Sequence, residues 1–120
     1  MPLVFYLSFM IFFSTRSFPA VAAVAPDFLL HGAEYFFLGT FMIRACNDGF
    51  HYLISRRIIW LSLGFCLGLA ILDEWLQRSI PNRVGSIGDV VSDATGAVLA
   101  VLAVMTIQKI LTRPVRPESE

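Results

Sequence analysis

Four apolar runs, Leu3 to Phe13, Phe28 to Ile43, Ile58 to Leu76 and Val90 to Gln108, divide the chain, separated by segments holding Pro, Gly, Asn or Arg. A helix that is apolar on every side either packs inside a large core or crosses a bilayer. At 120 residues the chain is too short to bury four such runs as a water-soluble globule. Its hydrophobic share of 57% exceeds the roughly 45–50% of soluble domains, and its mean hydropathy is +0.72. The pattern predicts an all-α integral membrane protein, a four-transmembrane-helix bundle making one domain over residues 1–111.

The third and fourth runs approach the length of about 20 residues that spans a bilayer. The first is shorter and has two readings. As a span it continues through Ser14 and Thr15 towards Pro19; as a signal peptide it is cut after the small-x-small motif Ala23-Val24-Ala25. Two features favour a retained span: no Lys or Arg precedes the run, and Pro26 would follow the cut. Asp27 lies outside on either reading.

Orientation follows from positive charge, which is retained on the cytoplasmic side. With four spans, one side carries Arg44, Arg56, Arg57, Lys109, Arg113 and Arg116, and the other Arg16, Arg78 and Arg83. Six against three predicts both termini in the cytoplasm. Residues 112–120, polar and broken by Pro114 and Pro117, read as a disordered cytoplasmic tail. Nine Lys plus Arg balance nine Asp plus Glu, which excludes the basic excess of a nucleic-acid-binding protein. Cys46 and Cys66 stand at different depths with no C-x-x-C or zinc spacing, so both read as free thiols.

Ionisable residues at membrane depth are costly and mark functional sites. Asp27, His31 and Tyr35, spaced i, i+4, i+8, share the face that starts the second helix, with Glu34 one step round. Asp73, Glu74 and Gln77 end the third helix, followed by Arg78 and the turn Ser79-Ile80-Pro81-Asn82-Arg83-Val84-Gly85. Ser86-Ile87-Gly88-Asp89 opens the fourth helix as a capping-box-like start, and Asp93, Gly96, Ala97 and Ala100 continue one stripe. Gly64-x-x-x-Gly68 on the third helix offers a smooth surface to match it. Taken singly, each has a plain reading: Asp89 complements a helix dipole, His31 packs, Tyr35 anchors at the interface, and Arg78 snorkels. Taken together, all of them fall on the extracytoplasmic side under a topology fixed by other residues.

The order Asp-x-x-x-His, Asp-Glu-x-x-Gln, Pro-x-Arg and Asp-x-x-x-Asp-x-x-Gly, from Asp27 to about Ala103, resembles the VanZ-like family of bacterial membrane proteins. The resemblance picks out Asp27, His31, Asp73, Glu74, Gln77, Arg83, Asp89, Asp93 and Gly96, and implies a multi-pass protein of the bacterial cytoplasmic membrane. Phe28, Asn82 and Asp93 depart from the family's usual Lys, Gly and Asn, which makes this site more acidic. The founding member's association with glycopeptide-antibiotic resistance supplies no reaction.

Two functional readings and one structural reading follow. In the first, an envelope enzyme acts on a lipid or lipid-linked, anionic cell-wall precursor. His31, Asp27, Asp73, Glu74 and Asp89 are its candidate catalytic groups, Arg83, Gln77, Asp93 and Tyr35 bind substrate, and the carboxylates could hold a divalent cation. In the second, the same residues form a non-catalytic binding or accessory site, in which the planar fork of Arg83 dominates. In the third, they are an interhelical hydrogen-bond network. Gly64, Gly68 and Gly96 are the helix-packing positions, and the first two also allow a homo-oligomer.

Overall fold

The computed structural model of the chain describes residues 2–14, 26–48, 53–81 and 85–112. They form four helices: α1 (Pro2–Ser14), α2 (Asp27–Cys46), α3 (Arg56–Arg78) and α4 (Ile87–Leu111). No strand occurs among the described residues, and each helix falls on one of the four apolar runs. Ala23-Val24-Ala25, Arg16, Asn82, Arg83 and residues 113–120 lie outside the described residues.

Side-chain caps set where the two longest helices begin. The Ser55 hydroxyl accepts from the Ile58 N–H at 3.3 Å and the Ser86 hydroxyl from the Gly88 N–H at 3.1 Å, each satisfying a first-turn donor. α2 starts directly after Pro26, whose carbonyl accepts from Leu29 and Leu30. It stops where Asn47 donates back to the Ile43 carbonyl and Asp48 turns left-handed at φ 48°, a conformation that Asp tolerates better than most side chains.

α3 and α4 are long and apolar enough to cross a membrane, with mean hydropathies of 1.6 and 2.0 over their best windows. Both show lipid-compatible outer faces: Trp60, Ile71 and Trp75 on α3, and Leu99 and Leu102 on α4, are exposed. α2 has 20 residues but carries Asp27, His31, Glu34 and Arg44. α1 has 13 residues, which at 1.5 Å each reach about 20 Å, short of the roughly 30 Å hydrocarbon core.

α4 packs most extensively on α2, and α3 closes against both. The α2–α4 seam is built from small residues. A Cβ on Gly96 would land on the Gly32 carbonyl oxygen, and a Cβ on Gly39 would stand 3.0 Å from Ala100 Cβ. Gly96 therefore packs as its position in the stripe predicts, but against α2. Gly64 and Gly68 have no atom within 4 Å of where their Cβ would sit. This corrects their assignment as the surface that receives α4 within the chain. The matching small residues are Gly32 and Gly39, because α4 turns its stripe towards α2.

Tyr35, Leu38, Cys66, Ala70 and Ala97 make the core between α2, α3 and α4, and Ile43, Val101 and Val104 continue it towards the far end. There the Gln108 side-chain oxygen accepts from the Ile54 N–H at 3.1 Å. α1 lies on α2 through Tyr6, whose hydroxyl donates to the Glu34 carbonyl at 2.8 Å and whose ring tilts against Phe41 at 5.2 Å.

Candidate functional site

The polar residues converge where α2 and α4 begin and α3 ends. His31 Nδ1 donates to Asp93 Oδ1 at 3.2 Å, joining positions 62 residues apart in sequence. Asp93 is 2% exposed. A carboxylate that deep must be hydrogen-bonded, since an isolated one is too costly to bury, and His31 provides that partner. The bond also fixes the orientation of the imidazole through Nδ1.

Asp27 and Asp89 stand beside this pair. One ligand atom from each of Asp27, His31 and Asp89 lies within 4.8 Å of the other two. Metal bonds of about 2.0–2.6 Å set ligand atoms at most about 4–5 Å apart across an ion. The separation of the three groups is compatible with a shared cation. Two carboxylates and an imidazole suit a divalent ion of the manganese or zinc type. Asp93 orients the His31 imidazole by its hydrogen bond to Nδ1.

The α3 carboxylates form a second group. Gln77 donates to Asp73 Oδ2 at 2.8 Å, and Arg78 Nε to Glu74 Oε1 at 3.2 Å, both within one helical turn. Asp73 and Glu74 are in electrostatic reach of Asp89. Gly85 crosses over Glu74 so closely that a Cβ there would meet the carboxylate. Gly85 thus brings its backbone against this acid.

Each candidate from the sequence now has a place. Asp27, His31 and Asp89 form the cation-sized cluster, Asp93 orients His31, and Asp73, Glu74 and Gln77 line the adjoining end of α3. Arg83 lies outside the described residues. Tyr35, assigned to substrate binding with an interfacial anchor as its plain reading, is neither accessible nor interfacial: it is 1% exposed, packed among Leu38, Cys66, Ala70 and Ala97, and its hydroxyl has no hydrogen-bond partner among the described residues. Ser62, which the sequence did not single out, is likewise buried, with no hydrogen-bond partner for its hydroxyl among the described residues. The Tyr6 bridge and the Gly32 and Gly39 contacts were also missed. The spacing of the two glycines on α2, two turns apart on one face, was the signal available for them.

No family model, curated protein or solved structure matches the chain.

Proposed function

We propose that the chain is a four-span protein of the bacterial cytoplasmic membrane, VanZ-like in kind, with both termini in the cytoplasm. The end where Asp27, His31 and Asp89 meet faces the extracytoplasmic side. There these three residues hold a divalent cation, and the cation binds the anionic headgroup of an envelope lipid or of a lipid-linked cell-wall precursor.

The observation that carries this reading is the meeting of three metal-ligating groups from two helices within 4.8 Å. Charge supports the rest. Like charges 4 Å apart repel by about 1 to 4 kcal/mol between bulk water and a protein surface, so an anion does not settle among Asp27, Asp89 and Asp93 unaided. A divalent ion reverses that sign. Both α2 and α4 also begin at this end, which brings two positive helix termini to the headgroup. Arg83, in the turn after α3, is the second anchor for the anion in this reading.

Binding without bond breaking is the primary reading. The His31–Asp93 pair favours a second, because an imidazole oriented by a carboxylate is also what a general base requires. Two measurements test both. Electron paramagnetic resonance of the purified full chain should show one bound Mn²⁺ per molecule, lost in Asp27→Asn and Asp89→Asn; absence of bound Mn²⁺ in the native chain overturns the cation. Mass spectrometry of envelope lipids from cells lacking the chain, carrying it, or carrying His31→Ala separates binding from catalysis. A lipid consumed only with the native chain identifies an enzyme.

A further inference from the structure

The end opposite the carboxylates, where α2 and α4 finish and α3 begins, is basic. Ile54, Ile58 and Ile59 pack there against the cluster of Ile43, Val101 and Val104, and the Gln108 side chain accepts from the Ile54 N–H. Arg44 follows Ile43, Arg57 precedes Ile58 and Lys109 follows Gln108, so these contacts gather Arg44, Arg56, Arg57 and Lys109 on one rim. All four are exposed, and none makes an ion pair among the described residues. Asp48 is the one acid between Tyr35 and Leu72. Unpaired surface charge of one sign draws a ligand of the other, and here that ligand is an anion.

Arg56 and Arg57 occupy the first turn of α3, which holds no acid. Positive charge at a helix start opposes the macrodipole, so the pair does not serve the helix that carries it. Trp60 lies one turn further along, a neighbour of both at i+4 and i+3, and is 72% exposed. Beyond it Leu67 and Ile71 stay exposed on the same stripe, while Ser62, Cys66 and Ala70 are the buried side of α3. A Trp at the end of an outward apolar stripe is placed as Trp is at a membrane–water interface. The rise from Trp60 back to Arg56 is about 6 Å, and headgroups occupy roughly 5–8 Å on each side of the hydrocarbon core. With the indole at the edge of the core, the two guanidinium groups stand at phosphate depth. We propose that Arg56 and Arg57, flanked by Lys109, bind the phosphate of an anionic phospholipid in the leaflet at this end. The planar fork of Arg pairs two donors with phosphate oxygens, and basic clusters beside a span attract anionic lipid. This site rests on the reading of α3 and α4 as spans and is independent of the cation at Asp27, His31 and Asp89.

The test uses the full chain in vesicles of phosphatidylcholine and phosphatidylglycerol, one or the other lipid carrying brominated acyl chains that quench Trp fluorescence, with a chelator present to keep divalent ions from the acidic end. Trp75→Phe leaves Trp60 as the probe of the basic end, and Trp60→Phe leaves Trp75 as the probe of the other. Phosphatidylglycerol should be preferred about fivefold or more beside Trp60, at least the effect of one surface cation, and not beside Trp75. Arg56→Gln with Arg57→Gln should bring Trp60 to parity with the chain still folded, since both side chains are exposed. Arg56→Lys with Arg57→Lys, which keeps the charge and loses the fork, should retain part of the preference. Parity at Trp60 with both arginines present, or an equal preference at the two Trp, overturns the lipid site and leaves the spans standing. Absence of quenching at either Trp overturns the spans and the inference with them. Displacement of phosphatidylglycerol by inorganic phosphate at constant ionic strength assigns the arginines to a soluble anion and overturns the lipid.

Discussion

Gly96 of α4 stands against the Gly32 carbonyl of α2 at a separation that admits no Cβ between them. Backbone meets backbone there, so the neighbour cannot yield by changing a rotamer. Gly96→Ala should force the helices apart and lower stability by about 1–3 kcal/mol or more. Gly64→Ala, with open space around it, should be neutral or gain up to about 1 kcal/mol from helix propensity. Thermal unfolding of both variants in the same detergent checks the contrast, and equal losses would contradict the assignment of the seam.

The His31–Asp93 bond can be separated from the rest of the site by a double-mutant cycle. His31→Ala leaves a 2% exposed carboxylate without its partner, whereas the double variant with Asp93→Ala removes both groups. A coupling of about 1.5–3 kcal/mol is expected for a hydrogen bond to a charged group. A coupling near zero would show that the two residues do not act together in the folded chain.

On the proposed cation site, Asp93 should act on metal affinity through His31. Loss of the carboxylate behind a metal-ligating imidazole typically weakens metal binding about 10–100-fold. Asp93→Ala should therefore weaken Mn²⁺ binding to that extent, and Asp93→Asn, which keeps an acceptor for Nδ1–H, should recover part of it. The nitrogen hyperfine coupling in the Mn²⁺ spectrum distinguishes this from simple unfolding, because it reports whether the imidazole is still bound.

Tyr35→Phe removes a buried hydroxyl that has no partner. Leaving such a group unpaired costs about 1–3 kcal/mol, so its removal should be neutral or stabilising while the ring keeps its contacts with Cys66 and Ala70. Chemical or thermal unfolding measures this. A clear loss of stability would reveal a hydrogen bond to that hydroxyl in the folded chain.

Tyr6→Phe should cost about 0.5–1.5 kcal/mol, since the bond to the Glu34 carbonyl is lost and the ring contact with Phe41 is retained. Tyr6→Ala should cost more, because α1 then loses its aromatic hold on α2. Protease sensitivity of residues 2–14 in detergent would report the difference.

The four helices were legible because each apolar run exceeds what a turn or strand needs, and because Ser86 marks the start of α4 by local chemistry; the boundary roles of Ser55 and Asp48 emerged only from the structure. The grouping of Asp27, His31, Asp89 and Asp93 was legible from helical spacing on two separate segments. Which helix receives the α4 stripe was not. Gly64-x-x-x-Gly68 and Gly32 with Gly39 are both smooth surfaces, and spacing alone does not rank them. The carboxylate pairing of His31 decides it, since a bond from α2 to α4 holds their first turns together and sets the glycines of α2 opposite Gly96 and Ala100. Tyr35, assigned to substrate binding from its i+8 spacing, is buried in the core instead: its depth depends on the tilt of α2 against α3, a quantity that no local pattern encodes.

Gly32 with Gly96 and Gly39 with Ala100 are two tie points on one seam, about two turns apart on α2 and one on α4. Two tie points fix both the crossing angle and the axial offset of a pair of rods, so α2 and α4 behave as a single strut. Asp27, His31, Asp89 and Asp93 all ride on that strut, and their mutual spacing is conserved whatever the rest of the bundle does. Asp73 and Glu74 come to that strut from α3, a separate element, so their distance from the other four carries the geometry of the α3 packing instead.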